Sequence, residues 1–440
     1  MIGLLKLKKS VRDILVGVTG ASIAQALSFL LVPIVARLFS PEDYGGAAAF
    51  LAVLVLLSPV SSMRYEQAIL LPRQEEKAFT LSCISLRILA GVAALSFLVI
   101  FITMILPLES VAQYDLMLWL VMLPLFLFIT GVANILLSWS TRLGLFSNIA
   151  AADITMPLGT SGTRIGIGLI FGSSVLGLLL GTMTGYIARV YMLWKDLKGR
   201  EGFEQNACRQ SIDTTRQVMS EYRDFPFYFA PTDLIREFKE NIPLFAVIMI
   251  FSAQAAGFYA MASRLLRIPV TIVSLPIRRV YMQRAAQSIN KGISFQRLFL
   301  KATGLLFCLG LFPFILLAIY GTDIFSLVLG AKWEGAGVYA EIISIWLFSI
   351  FILAPSSATF MMLRKRRTWL FFQLTGVIVS ILCFLSAIYF PLSDQEVLTI
   401  FAYAQAGLNV IIFLVALRVI IQWNPVREDI SVSEIKTKHT

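Results

Sequence analysis

Between residues 14 and 421 the sequence keeps returning to one pattern, a run of about twenty apolar residues followed by a short polar break. Such a run, wound as a helix, crosses the ~30 Å hydrocarbon core of a bilayer. Twelve runs fit: 14–38, 45–70, 79–106, 114–138, 147–170, 174–194, 225–251, 257–281, 298–320, 337–362, 369–390 and 397–421. They are continuous rather than alternating at every second residue, which argues against a transmembrane barrel. Lipid offers backbone groups no hydrogen-bond partner, so the spans are expected to be helices. Composition agrees. Of 440 residues, 58% are hydrophobic and 14% charged, against about 25% charged in a soluble chain. The expected fold is an all-α polytopic membrane protein, twelve transmembrane helices in two six-helix lobes around a central cavity.

Lysine and arginine give the orientation. With the N-terminus inside, the cytoplasmic segments hold Lys6, Lys8 and Lys9, the basic residues of 195–224, and the run Arg364 to Arg367, whereas the opposite loops hold only Lys332. Both termini are therefore expected in the cytoplasm. The same distribution accounts for the net charge of +11, so no nucleic-acid partner is expected. Cys83, Cys208, Cys308 and Cys383 are scattered and suggest neither a disulfide framework nor a metal site. The only histidine is His439, and no loop carries a catalytic constellation; no enzyme activity, metal or cofactor is expected.

The spans fall into two sets of six. Residues 1–194 read as an N-terminal six-helix lobe, 195–224 as a cytoplasmic linker of mixed charge, and 225–440 as a C-terminal six-helix lobe with a short cytoplasmic tail. A weak repeat supports this: "ANILLSWSTRLGLFSNIAA" from 133 resembles "SATFMMLRKRRTWLFFQLT" from 357. An even number of spans in each half makes the halves parallel repeats.

Charges within the spans are the candidate site, because an unpaired charge at mid-bilayer costs about 3 kcal/mol or more. In span 8, Arg264, Arg267, Thr271, Ser274 and Arg278 recur at steps of three and four, which places them on one helical face. In span 5, Asp153 and Arg164 share an azimuth across "PLGTSGT", whose small residues favour close helix packing. Arg64 and Glu66 lie in "SPVSSMRYEQ" of span 2, and Arg37 closes span 1. Each arginine either pairs with an acid to fix packing or lines an aqueous cavity. In "FAPTDLIREFKENIPLF" the charges Asp233, Arg236, Glu237, Lys239 and Glu240 gather on one face of a helical wheel, opposite Leu234, Ile235, Phe238, Ile242 and Phe245. That sorting disfavours a loose connector. An interfacial helix and a cavity-lining span both fit, and the latter is preferred because the apolar run after Pro243 is too short to cross alone. Pairing of Arg236 with Glu240 is expected from their i,i+4 spacing.

The segment from 225, with its aromatic-Pro start, mid-span "IP", "GFYAMASRLL" and following "PV", resembles the second-half signature of bacterial polysaccharide-biosynthesis (Wzx-type) flippases. "LVPIVARLFSPEDYGGAAAF" looks like the first-hairpin signature of the same family, which lies in the multidrug/oligosaccharidyl-lipid/polysaccharide exporter superfamily. The resemblance implies translocation of an undecaprenyl-diphosphate-linked oligosaccharide from the cytoplasmic to the outer leaflet of the bacterial inner membrane. It also implies membrane lipids, a polysaccharide polymerase and chain-length machinery as partners. The headgroup candidates are then Arg164, Arg236, Lys239, Arg264 and Arg267, with Arg37 and Arg64 at the mouths. Asp153, Asp233, Glu237 and Glu240 are candidates for proton coupling or counter-charge. A proton- or sodium-coupled multidrug antiporter is the alternative within the same superfamily.

Overall fold

The computed structural model describes residues 2–105, 119–198 and 212–423, and among these it is helical throughout, with no strand. The helices are α1 (Ile2–Leu38), α2 (Pro41–Ser61), the single turn α3 (Tyr65–Ala68), α4 (Glu75–Ile105), α5 (Leu123–Arg142), α6 (Phe146–Phe171), α7 (Val175–Lys198) and α8 (Ile212–Glu221). They continue with α9 (Ala230–Ile250), α10 (Ala253–Leu266), α11 (Leu275–Asn290), α12 (Gln296–Leu329), α13 (Glu334–Met362), α14 (Arg366–Tyr389) and α15 (Asp394–Gln422). Every span expected from the apolar runs is largely helical, the second broken after Ser61; residue 106 of the third and residues 114–118 of the fourth lie outside the described residues. Ten stretches of described helix are long and apolar enough to cross a membrane. The helices α6 and α9 are not among them: α6 carries Asp153 and Arg164, and α9 carries Asp233, Arg236, Glu237, Lys239 and Glu240.

The chain forms two compact units, Met1–Ile248 and Met249–Thr440. The stretch 195–224 contains more structure than a plain linker. Helix α7 runs on to Lys198, and α8 packs on the first unit: Val218 is buried, Lys77 pairs with Glu221 at 2.7 Å, and the Tyr65 hydroxyl donates to the Met219 carbonyl. One cysteine expectation is corrected. Cys83 is disulfide-bonded, while Cys308 and Cys383 are free thiols.

Helix ends follow local chemistry. Ser40 caps α2 by accepting the Asp43 N–H at 3.1 Å, with Pro41 at the first helical position, where its missing N–H costs nothing. Ser252 caps α10 in the same manner, and Ser393 with Glu396 forms a capping box on α15. The repeated basic turns share a cap. Gly144 (φ 67°) after α5 and Arg364 (φ 54°) after α13 are left-handed, and the next residue reaches back five positions, Leu145 to Ser140 and Lys365 to Phe360. The structure therefore equates Gly144 with Arg364, whereas the sequence repeat sets Gly144 against Thr368. Low identity hid a four-residue slip.

Small residues set helix spacing in both units. In the first, α6 packs on α1 and α7, and a Cβ on Gly181 would lie 2.8 Å from the Thr160 carbonyl of α6. In the second, α12 and α13 touch through Gly321 and Gly337. Helix α12 departs from helical geometry at Tyr320, and the Thr322 N–H beyond the kink donates to the Glu341 carboxylate of α13 at 2.8 Å. A side chain on another helix thus satisfies a backbone donor at the break, the usual condition for irregular backbone at membrane depth.

A Cβ at Gly337 would sit 2.4 Å from the Thr322 Cα, whereas one at Gly407 meets nothing within 4 Å. Gly337→Ala should lower the apparent melting temperature in detergent. Gly407→Ala should leave it equal or raise it slightly, since alanine is the better helix former. Equal behaviour of the two variants would contradict the close α12–α13 contact.

Candidate functional site

The charged face of α9 is built into the first unit by a break in the second span. After α2 ends at Ser61, Met63 (φ 50°) and Arg64 (φ 60°) are both left-handed, a conformation costing about 1–2 kcal/mol for each non-glycine residue. That turn aims the Arg64 side chain at α9. Its Nε lies 2.7 Å from the Asp233 Oδ2, and its Nη1 lies 3.4 Å from Glu66, which is buried and also accepts the Ser62 hydroxyl. Asp233 is shared: its Oδ1 is 3.1 Å from Arg236, whose Nη2 donates to Glu237 at 2.8 Å. Arg236 thus reaches back to Asp233 and across to Glu237, contacts that the i,i+4 expectation with Glu240 did not include. The result is a chain of alternating charge, Glu66–Arg64–Asp233–Arg236–Glu237, with three acids and two arginines.

On the other side of α9, Ile235 and Phe238 are exposed, as expected for an apolar face turned to lipid. Lys239 is half-buried and Glu240 exposed. Before α9, Phe225–Phe229 forms a π-helical turn that presents Phe227 and Tyr228 outward, an aromatic pair of the sort that settles at a membrane interface.

Asp153 and Arg164 both face α7, in keeping with their shared azimuth, but each has its own partner there. Asp153 pairs with Arg189 at 2.9 Å. Arg164, only 6% exposed, donates its Nε to the Leu178 carbonyl at 3.2 Å and its Nη2 to the Thr182 hydroxyl at 2.7 Å. Arg189 of α7, with its side chain 18% exposed, is thus a partner of α6. Arg37, in the last turn of α1, is exposed and lies where a cation complements the helix dipole.

The second unit holds the remaining arginines, and here the expected single stripe is broken. Span 8 is not one helix. Helix α10 ends at Leu266, Val270–Ser274 forms a π-helical turn after Pro269, and α11 follows. A π turn adds a residue and rotates everything beyond it, so the three-four spacing no longer keeps one face. Arg264 and Thr271 are exposed, while Ser274 is buried and donates to the Phe351 carbonyl at 2.7 Å. Arg278 rests against the Met361 sulfur. Arg267, the residue capping α10, donates its Nε to the Ser263 hydroxyl at 3.2 Å and lays its guanidinium over the Trp346 ring, 5.8 Å from the centroid. The sequence gives no sign of Trp346, which lies about eighty residues away among other aromatics; only the tertiary fold shows the contact. No group of three or more acidic, histidine or cysteine side chains able to hold a metal occurs among the described residues.

Comparison with known proteins places these features. The family model described as "Polysaccharide biosynthesis protein" matches residues 34–338, more than half of the chain. The chain belongs to the polysaccharide biosynthesis protein family. No curated protein sequence matches it. Among solved structures, this family member resembles a lipid II flippase, MurJ, in an inward closed conformation, with TM-score 0.67 at 13% identity over 92% of this chain and 87% of that one. It also resembles a multidrug resistance MATE family transporter of the MOP superfamily in an inward-facing conformation, with TM-score 0.64 at 13% identity over 92% and 98% of the two chains. A MATE P26A mutant structure follows at TM-score 0.52 and 13% identity, over 93% and 94%. At such identity the likeness shows the fold, that of multi-pass membrane transporters.

The side chains of Arg64 and Asp233 are 13% and 19% exposed, and each keeps one other ion-pair contact when its partner is removed, so either deletion leaves a shielded charge only partly satisfied, at about 1–2 kcal/mol. Arg64→Ala and Asp233→Ala should each lower the apparent melting temperature in detergent. The double variant should recover part of the loss, because both charges leave together. Strictly additive losses would show that the two side chains do not interact.

Proposed function

We propose that this polysaccharide biosynthesis family member is a flippase that moves an undecaprenyl-diphosphate-linked oligosaccharide from the cytoplasmic to the outer leaflet of the bacterial inner membrane. The observation that carries the reading is the family match on a fold shared with a lipid II flippase. The arginines within the spans fit that cargo. A diphosphate presents oxygens that a guanidinium binds through two parallel N–H bonds, while the polyprenyl tail stays in lipid.

Within this reading Arg264 and Arg267 of the second unit are the primary headgroup contacts. Arg236, Lys239 and Arg64 form a secondary cationic set whose charge is shared with Asp233, Glu237 and Glu66. Arg164 acts as a clasp between α6 and α7, and Arg37 as a mouth residue. Asp153, Asp233 and Glu237 serve as counter-charges, each being already engaged by an arginine, and Glu240 joins them. Rocking of one lobe against the other would give alternating access, with both termini in the cytoplasm. The membrane potential favours outward movement: two negative charges crossing it gain about 4.6 kcal/mol per 100 mV. A polymerase and chain-length machinery would take the product.

The antiporter alternative shares the fold, but an organic cation would be repelled by Arg264 and Arg267. Deletion of the gene should leave lipid-linked repeat units on the cytoplasmic leaflet and abolish surface polysaccharide. Arg267→Ala, inserted at normal levels, should fail to restore it. Full complementation by Arg267→Ala would remove that residue from the site. Drug efflux that survives charge reversal at Arg264 and Arg267, with polysaccharide unaffected by deletion, would replace the flippase by the antiporter.

A further inference from the structure

The charges of the second unit are sorted by end. Its described acids are Asp323, Glu334, Glu341, Asp394 and Glu396, which sit late in α12 and early in α13 and α15. These helix ends adjoin: Glu341 accepts the Thr322 N–H, and the Tyr339 hydroxyl donates to Asp394. The opposite end gathers α11, the start of α12, the end of α13 and the start of α14 around the buried Tyr281, Phe299, Phe360 and Phe372. The stretches that build it, 275–301 and 356–373, hold ten lysines and arginines and no acid. Cations there have no counter-ion among the described residues of their own unit.

Arg278 of α11 shows what that imbalance leaves. Arg64 and Arg189 meet carboxylates, and Arg164 meets a carbonyl and a hydroxyl. Among the described residues Arg278 meets no oxygen at all. Its Nη2 donates to the Met361 sulfur at 3.3 Å, a weak acceptor, and its Nε is buried without a partner. The side chain is half-buried, so water replaces only part of what is missing. Such a guanidinium is an anion site in want of an anion.

The surroundings indicate which anion. Met361, Val280, Leu370 and Phe371, on the same three helices, are exposed apolar side chains, and Arg279, Arg366 and Arg367 are exposed cations near them in sequence. A charged head with hydrocarbon beside it matches that mixture, whereas a soluble anion would need no apolar border. The number of cations matters too. A single lipid-linked diphosphate would answer only a small part of ten charges, while the bilayer supplies anionic headgroups in quantity.

We propose that this end of the second unit binds anionic phospholipid, with Arg278 donating to a headgroup phosphate oxygen beside the end of α13. The assignment stands apart from the flippase reading and would hold equally for an antiporter.

The purified full chain in neutral detergent is titrated with phosphatidylglycerol, phosphatidylcholine, undecaprenyl diphosphate or inorganic phosphate, in separate arms. Native mass spectrometry reads the bound lipid, and the melting temperature is followed in parallel. Phosphatidylglycerol should bind and raise the melting temperature, and phosphatidylcholine should do neither. Arg278→Gln should weaken the tightest phosphatidylglycerol site about tenfold, and Arg278→Lys should recover part of it. Arg216→Gln on α8 should leave it unchanged. In detergent alone Arg278→Gln should melt no lower than wild type, because no protein oxygen loses its donor. A lower melting temperature there, with phosphatidylglycerol affinity intact, makes Arg278 a packing residue and overturns its role. Equal binding of the two phospholipids overturns the site. Inorganic phosphate that reproduces the shift, or undecaprenyl diphosphate that binds through Arg278 where phosphatidylglycerol does not, overturns the phospholipid as its occupant.

Discussion

A charge placed among hydrocarbon must find a partner or a route to water, and the interior of both units is organised by that requirement. In helices α6 and α9, the two described spans that are not apolar enough to cross a membrane on composition alone, charged groups are taken up by neighbours. Asp153 and Arg164 of α6 are met by Arg189, Thr182 and a carbonyl of α7. Asp233 of α9 is met by Arg64, which the left-handed turn after α2 carries into reach. The partners are not interchangeable with apolar packing: they set which helix faces which, and they do so at the positions where lipid-facing hydrophobicity gives no direction.

Close helix approach is the second consequence of the bilayer. Lipid tails are as apolar as leucine, so the hydrophobic effect does little to bring spans together, and dispersion and short contacts must do it. Gly181 and Gly185 against α6, and Gly321 against Gly337, let backbones meet at distances a Cβ would forbid. The same proximity allows polar repairs. Glu341 reaches the Thr322 N–H at the α12 kink only because Gly321 and Gly337 hold the two helices together there.

Hydropathy carried the number and placement of the helices because apolar runs of bilayer length have few other structural solutions. The wheel of α9 was legible only in part: Asp233 and Glu237 turn inward and Ile235 and Phe238 outward, but Arg236 and Glu240 of the charged face are exposed and Ile242 of the apolar face is buried. Pairing was not. Nothing in "SPVSSMRYEQ" announces two consecutive left-handed residues, so the direction of Arg64 was invisible. The stripe in span 8 failed for a definable reason: a wheel assumes 3.6 residues per turn throughout, and the π-helical turn at Val270–Ser274 breaks the assumption midway. Trp346 was hidden because cation–π contacts depend on tertiary placement and leave no periodic trace.

The manner of holding each arginine then bears on recognition. A carboxylate fixes a guanidinium by cancelling its charge, as Asp233 and Glu66 do for Arg64. A network with three acids and two arginines attracts an anion only if an acid gives way. Arg267 is held in another way, by the Ser263 hydroxyl and beside the Trp346 ring. Under the flippase reading proposed above, the acid-rich chain on α9 is therefore a poor seat for a diphosphate, even though α9 is where the sequence concentrates its charge.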